Sequence, residues 1–395
     1  MRQQFNNCSH FLKSIGELRS RNRSIINMSR SLTPAQREDF LSYQSPFEST
    51  KTAAEPTTKD VSKKVIDTFD LVCDFVAVAV GSLPALIIYI IGIGIWLGTG
   101  SLLSFNNLWQ LDINTAVAVE LTFTSMFLQN VRRRHAESLG KTLSSIRETD
   151  SELEWRLRSI TGDLTPHQSF MIEPPETTRT ERFIDIYAYI VGSGVGVALS
   201  ITVVAIWLGV GHLLSWDSNW WLIIGTYTGL VGFVDGFVLR NVYMRQSDIL
   251  NQHLQAVSEK DQDVFALLRL RMPVEISIAD KKSLSFRISH KTIEICAHPL
   301  SVIGSLAVVV ALIAVATGLL WSETGQLICN TPTMIVEGFL LLVLFQAHNM
   351  TIVERRGQFG AVLERRNISR RCVRDYKVRQ ESNNDVLRIE IESKD

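Results

Sequence analysis

Cations are missing from three long stretches of this chain. Residues 71–130, 183–239 and 299–349 contain no Lys or Arg, although the 395-residue chain carries 40 of them. A soluble fold has no reason to sort charge this way. A membrane protein does, because a charged side chain in hydrocarbon costs several kcal/mol. A crossing helix needs about 20 apolar residues, so each window holds two crossings and a short turn. The predicted spans are 76–98, 113–131, 186–209, 220–240, 299–320 and 332–349. The apolar runs are continuous rather than alternating, which argues against a closed barrel. The expected fold is an all-α integral membrane protein with six transmembrane helices in three hairpins, plus cytosolic helices.

The turns at about 99–112, 210–219 and 321–331 lack Lys and Arg, and the segments between hairpins are rich in them. By the positive-inside rule both termini and both long connections are cytosolic. Sequons at Asn7, Asn22, Asn27, Asn349 and Asn367 fall on that side or at its edge, so they are expected to go unused. The cysteines Cys8, Cys73, Cys296, Cys329 and Cys372 show no paired spacing, which gives neither a disulfide framework nor a CxxC metal site. The first 30 residues bear a weak likeness to a mitochondrial presequence. Ser/Thr/Gln-rich composition running on to about residue 62 favours a disordered cytosolic tail. No cleavable secretory signal is visible, so the first span is expected to direct insertion.

The windows are copies of one another. "WLGTGSLLSFNNLWQL" at 96–111 matches "WLGVGHLLSWDSNWWL" at 207–222, an offset of 111. The same offset carries Gly81-Ser82 to Gly192-Ser193, Asp74 to Asp185 and Asn130 to Asn241. A third copy, with Gly304-Ser305 and "TGLLW" at 317–321, drifts by several residues. Each copy enters and leaves from the same side, so the repeats are parallel and related by an axis along the membrane normal. The expected division is a disordered tail at 1–65, hairpin repeats at 66–147, 181–258 and 291–366, cytosolic connections at 148–180 and 259–290, and a cytosolic tail at 367–395. Leu139, Leu143 and Ile146, and Leu250, Leu254 and Val257, fall at helical intervals beyond the second helices, as amphipathic cytosolic helices require. A homo-oligomer can complete the packing. The bilayer is the expected partner, and no nucleic acid is.

Few ionisable groups lie inside the apolar runs. Glu120, Asp235 and Glu337 sit in the second helices, and Asp74 and Asp185 share one repeat position in the first. The third copy places His298 near that position. An ionisable residue at the centre of a span costs about 2.5–3.5 kcal/mol on insertion scales, and function is its default explanation. No Lys or Arg stands in any of the three cation-free windows to pair with these acids. They are protonated, hydrated, or neutralised by a cation from outside, and oxygen and imidazole ligands suit Mn, Fe and Zn. Two uses stay open: a metal path, or structural hydrogen bonding. At 100° per residue, Asn114, Ala118, Thr122, Ser125 and Gln129 share one face of the second helix, with Glu120 and Thr124 nearly opposite. Asn130, Asn241 and Asn349 recur at the inner ends, as helix caps or as ion ligands. His212 in an outer turn reads as solvated, and the tryptophans at the outer ends read as an interfacial belt.

"NTAVAVELTFTSMFLQNVRRRH" (114–135) resembles the fungal low-affinity iron permease family. "WLGTGSLLSFNNLWQLDI", its repeat, and "EGFLLLVLFQAHNM" at 337–350 support the likeness, which covers about residues 65 to 375. The resemblance implies a plasma-membrane transporter of Fe(II) that also admits zinc, copper and other divalent ions, with no permanently bound cofactor. It marks Asn114, Glu120, Gln129 and Asn130 as functional positions. The rival reading is a non-transporting membrane scaffold whose cytosolic helices bind partners. An intramembrane enzyme would need a convergent nucleophile and base, and the spans offer neither a Ser/His nor a paired-Asp motif.

Overall fold

A computed structural model describes residues 2–33, 36, 63–168, 170, 172, 177–273 and 284–392. Among the described residues all regular structure is helical. The helices are α1 (Arg2–Ser31), α2 (Lys63–Val80), α3 (Leu83–Gly100), α4 (Asn107–Thr161), α5 (Arg179–Gly192), α6 (Gly194–Gly211), α7 (Ser218–Leu267), α8 (Leu284–Ala297), α9 (Pro299–Gly318) and α10 (Glu323–Glu392). Six of them, α3, α4, α6, α7, α9 and α10, are long and apolar enough to cross a membrane. α3, α6 and α9 bury little of their surface, and isoleucines such as Ile88, Ile95, Ile201 and Ile206 stand exposed. That surface is what a multi-pass membrane protein presents to lipid.

The first crossing of each window differs from the sequence expectation. The predicted spans 76–98 and 186–209 are each two helices, broken at Gly81-Ser82 and at Ser193. The third window has the same break, between α8 and α9. The cause is local. Ser82 accepts from Ala85 N at 3.3 Å, Ser193 from Val195 N at 3.1 Å, and His298 Nδ1 from Leu300 N at 3.2 Å. Each is an N-cap that starts a new helix, helped by proline in the first turn of α3 and of α9.

The second helices form the centre. α10 packs most extensively against α4 and then against α7. Each is entered through the same turn, with two successive residues at positive φ: Ser104-Phe105, Ser215-Trp216 and Leu320-Trp321. In each the second residue's N–H donates back five residues, to Gly100 O (2.9 Å), Gly211 O (3.0 Å) and Ala316 O (2.9 Å). The turns register the third copy at an offset of 105 from the second. At the first two turns a tryptophan pair closes the helix ends. Trp96 and Trp109 stack at 3.8 Å, and each indole N–H donates to the other's carbonyl at 3.1 Å. Trp207 and Trp220 repeat this at 4.2 Å, with bonds of 2.8 Å. These indoles act as a clasp, more than the belt expected from sequence.

At the arginine-rich end α4, α7 and α10 run on without a break, and α1 lies against α4 and α7. Residues 2–31 are therefore helical and packed, not the disordered tail expected for 1–65. The segment 37–62 of that tail lies outside the described residues. The tail expected at 367–395 likewise continues α10 as far as Glu392. Phe11, Ile15, Leu18, Asn22, Ile25 and Ser29 of α1, and Leu32 just past its end, are buried at alternating steps of four and three, as in a coiled-coil seam.

Candidate functional site

The groove between α7 and α10 is built on glycine. Gly229, Gly232 and Gly236 of α7 face Asn330 and Thr333, Glu337 and Leu340 of α10. A Cβ at Gly232 would stand 2.4 Å from each carboxylate oxygen of Glu337, so only glycine leaves room for that side chain. On the neighbouring residue, Gly338, a Cβ would stand 2.8 Å from Glu120 Oε2 and 2.5 Å from the Tyr89 hydroxyl. Two glycines thus let Glu337 reach α7 and let Glu120 approach α10.

Three of the acids expected from sequence gather here. Glu120, Glu337 and Asp235 come from α4, α10 and α7, and each is half-buried. Thr124 donates to Glu120 Oε1 at 3.3 Å, while Glu120 Oε2 is buried with no hydrogen-bond partner. Tyr187 of α5 donates to Asp235 Oδ1 at 2.8 Å. Tyr89 of α3 donates to Ile335 O at 2.7 Å and so holds its ring beside Glu120. The charges of Glu120 and Glu337 repel, as do those of Glu337 and Asp235. The acids form a relay from α4 across α10 to α7. Among the described residues no three His, Cys, Asp or Glu side chains converge tightly enough to enclose one ion.

One premise of the sequence reading needs correction. Arg240, one residue beyond the cation-free window, is 3% exposed and folds back to donate to Gly236 O. Its charge acts on Glu337. An arginine thus reaches the acids from the edge of the span, along its own helix. The phenols of Tyr89 and Tyr187 were also missed, because neither carries a repeat signature. The glycine spacing 225, 229, 232, 236 was the available signal for the α7 face that receives α10.

The remaining candidates lie elsewhere. Asp74 pairs with Arg134 at 2.8 Å, and Asp185 pairs with Arg245 through two contacts. The offset of 111 relates these pairs residue for residue, and both stand at the arginine-rich end, apart from the relay. The solvated level of the chain, not the apolar run, explains how these acids find cations. Asn114 is buried and donates to Thr331 of α10 at 3.2 Å, with its oxygen unpartnered. Gln129 is exposed, and Thr122 and Ser125 bond back to their own helix. Asn130 donates to Cys73 Sγ at 3.6 Å. Asn241 and Asn349 donate at 2.7 Å to Ala297 O and Ala77 O, so they satisfy carbonyls at the helix breaks.

The model of the family described as low affinity iron permease matches residues 69–154, 180–270 and 285–352. The low-affinity iron/zinc ion transport protein fet4 of Schizosaccharomyces pombe is 44% identical over 368 residues, covering 93% of this chain and 62% of that protein. The low-affinity Fe(2+) transport protein of Saccharomyces cerevisiae is 37% identical over 393 residues, covering 93% of this chain and 71% of its own length. The chain therefore spans about three-fifths of the length of the first of these relatives. No solved structure matches. By its matched segments and its relatives, the chain belongs to the low affinity iron permease family.

Proposed function

We propose that this protein carries divalent metal ions, chiefly Fe(II) with Zn, Cu and Mn as further substrates, into the cell with low affinity. The observation that carries the reading is the gathering of Glu120, Glu337 and Asp235 from three adjoining helices in a chain whose relatives are named for iron and zinc transport. Spaced carboxylates suit a travelling cation: each offers one or two oxygens, binds weakly and releases readily. Asp74, Asp185, Asn114, Gln129 and Asn130 belong to the path's ends and walls in this reading. The placement is the plasma membrane, with three parallel hairpin repeats and both termini cytosolic. A divalent ion moving inward gains about 4.6 kcal/mol per 100 mV of inside-negative potential, so no second ion is required. The reaction is transport without covalent chemistry. The relatives' names give no support to a non-transporting scaffold.

The test is uptake of labelled Fe(II) by cells lacking other iron transporters. Glu120→Gln, Glu337→Gln and Asp235→Asn are each expected to lower uptake about tenfold or more at equal surface abundance. Normal uptake in all three would refute the path.

A further inference from the structure

The three copies hold one another in a fixed order. α3 of the first copy packs on α10 of the third: Leu86 is buried in a cluster that Phe339 adjoins, and Tyr89 donates to Ile335 O at 2.7 Å. α9 of the third copy packs in turn on α7 of the second, with Val302 and Val234 buried in one cluster. The inner asparagines follow the same order. Asn349 of α10 reaches Ala77 O, before α3, and Asn241 of α7 reaches Ala297 O, before α9. In both steps a first helix lies on the second helix of another copy.

The remaining step, from the second copy to the first, is left open. The offsets of 111 and 105 make Leu86, Val197 and Val302 one position, and Phe123, Val234 and Phe339 another. The third pair is therefore Val197 of α6 and Phe123 of α4. Leu86 and Val302 are each 5% exposed, but Val197 is 59% exposed and Phe123 58%. Ser200 is exposed where its counterpart Ser305 is buried. Val119 and Met126, which share Phe123's face of α4, are exposed too. Asn130, the counterpart of Asn241, donates to Cys73 of its own copy, and its Oδ1 is buried without a partner.

We propose that the protein is a homodimer in which α6 of each copy lies on α4 of the other. The two open faces are the halves of a contact that the chain makes twice inside itself, and a second copy carries both. A twofold axis joins them reciprocally and closes the assembly at two. That axis stands along the membrane normal, since both copies share one orientation in the bilayer. Helix pairing in lipid rests on close packing, which small residues permit. α6 presents them: a Cβ on Gly194, one turn before Val197, would meet no neighbour, and Ser200 follows one turn after. This inference does not depend on the transport reading.

Disulfide trapping in native membranes tests it. Val197→Cys on one tagged chain and Phe123→Cys on a second, differently tagged chain are co-expressed and oxidised. A covalent product carrying both tags, at twice the chain's mass, is expected. Val195 is also exposed but stands on the opposite face of α6, so Val195→Cys should give no such product with Phe123→Cys. Neither should either variant with the unaltered chain, which controls for the five native cysteines. Wild-type chains carrying one fluorophore should bleach in two steps in single nanodiscs, a measurement that needs no substitution. The absence of a doubly tagged product at normal surface abundance, an equal yield from Val195→Cys, or single-step bleaching overturns the proposal. So does a link formed within one chain when Val197→Cys and Phe123→Cys are combined in it, since the three copies would then close on themselves.

Discussion

Gly232 decides where Glu337 can stand. Both carboxylate oxygens occupy the space a Cβ would take, so Gly232→Ala must push Glu337 out of the relay or push α7 away from α10. Overpacking of this kind costs about 1–3 kcal/mol. Gly225 lies on the same stripe, but its nearest neighbour, Asn330 Nδ2, would be at 3.6 Å, an ordinary contact. Fe(II) uptake is therefore expected to fall several-fold in Gly232→Ala and to stay near wild type in Gly225→Ala, measured at equal surface abundance. Equal uptake in the two variants would detach Glu337's position from transport. At this scale the sequence exposed the acids, because a lone carboxylate in an apolar run needs an explanation. It hid Arg240, whose position one residue outside the window looked like the start of the charged segment. A side chain long enough to fold back one turn along its helix crosses that boundary.

The hairpin ends show why one glycine is fixed and its counterpart is not. At Gly100 and Gly211 a Cβ would stand 2.4 Å and 2.6 Å from the rings of Phe105 and Trp216. Those rings cannot retreat, since Phe105 and Trp216 pack edge-on against Trp109 and Trp220, which are locked in the stacked clasps. In the third turn the residue in the tryptophan's place is Gly325, so no stacked indole stands at that position against Trp321, and the glycine's place is taken by Ala316. Gly211→Ala is thus expected to lower the thermal midpoint of the purified protein, at a cost of about 1–3 kcal/mol. In a Trp216→Ala background the same change should cost little. Equal costs in both backgrounds, read as a double-mutant cycle, would remove the ring from the account. The offset of 111 between the first two copies was legible in the sequence, and the third copy, which lacks the clasp, follows the second at 105 by its turn. The breaks at Gly81-Ser82 and Ser193 were seen as repeat markers but not as helix starts. The apolar run hides the capping serines, which act only through their own backbone.

The whole molecule is held at its arginine-rich end by a four-helix seam with one polar layer. Steps of three and four along α4 give Leu139, Leu143, Ile146, Asp150, Leu153 and Leu157, and along α7 Leu250, Leu254, Val257, Asp261, Val264 and Leu268, all buried. The sequence reading named this stripe only as far as Ile146 and Val257; the next positions on it, Asp150 and Asp261, are acids. It missed α1 because Asn22 and Ser29 interrupt that stripe. These polar residues are the layer: Asn22, Asp150, Asp261 and Arg366 are each 1% exposed or less, one per helix. Polar residues at seam positions fix register and partner, and here they tie α1 to the other three.

The two acids of that layer differ in geometry. Asp261 accepts from Asn22 at 3.1 Å and from Arg365 at 2.8 Å, and Arg366 approaches it at 2.6 Å. Asp150 meets Arg366 Nε at 2.8 Å without hydrogen-bond alignment. Burial therefore outweighs Arg366 at Asp150 and pushes its carboxyl up to about 6. An unfolded aspartate titrates near about 3.9, so the fold favours the protonated form. Asp150's stabilising contribution is complete below about pH 4 and is lost as pH rises through about 6. Asp150→Asn mimics the protonated state at every pH. Its stability relative to wild type should start near zero at pH 4 and rise to a plateau by pH 7, followed by hydrogen exchange of the α1 amides. Asp261→Asn should instead destabilise the bundle by about 3–5 kcal/mol at pH 7, since it breaks a buried, aligned pair. A constant or shrinking advantage of Asp150→Asn across that window would mean that Arg366, not burial, governs the layer.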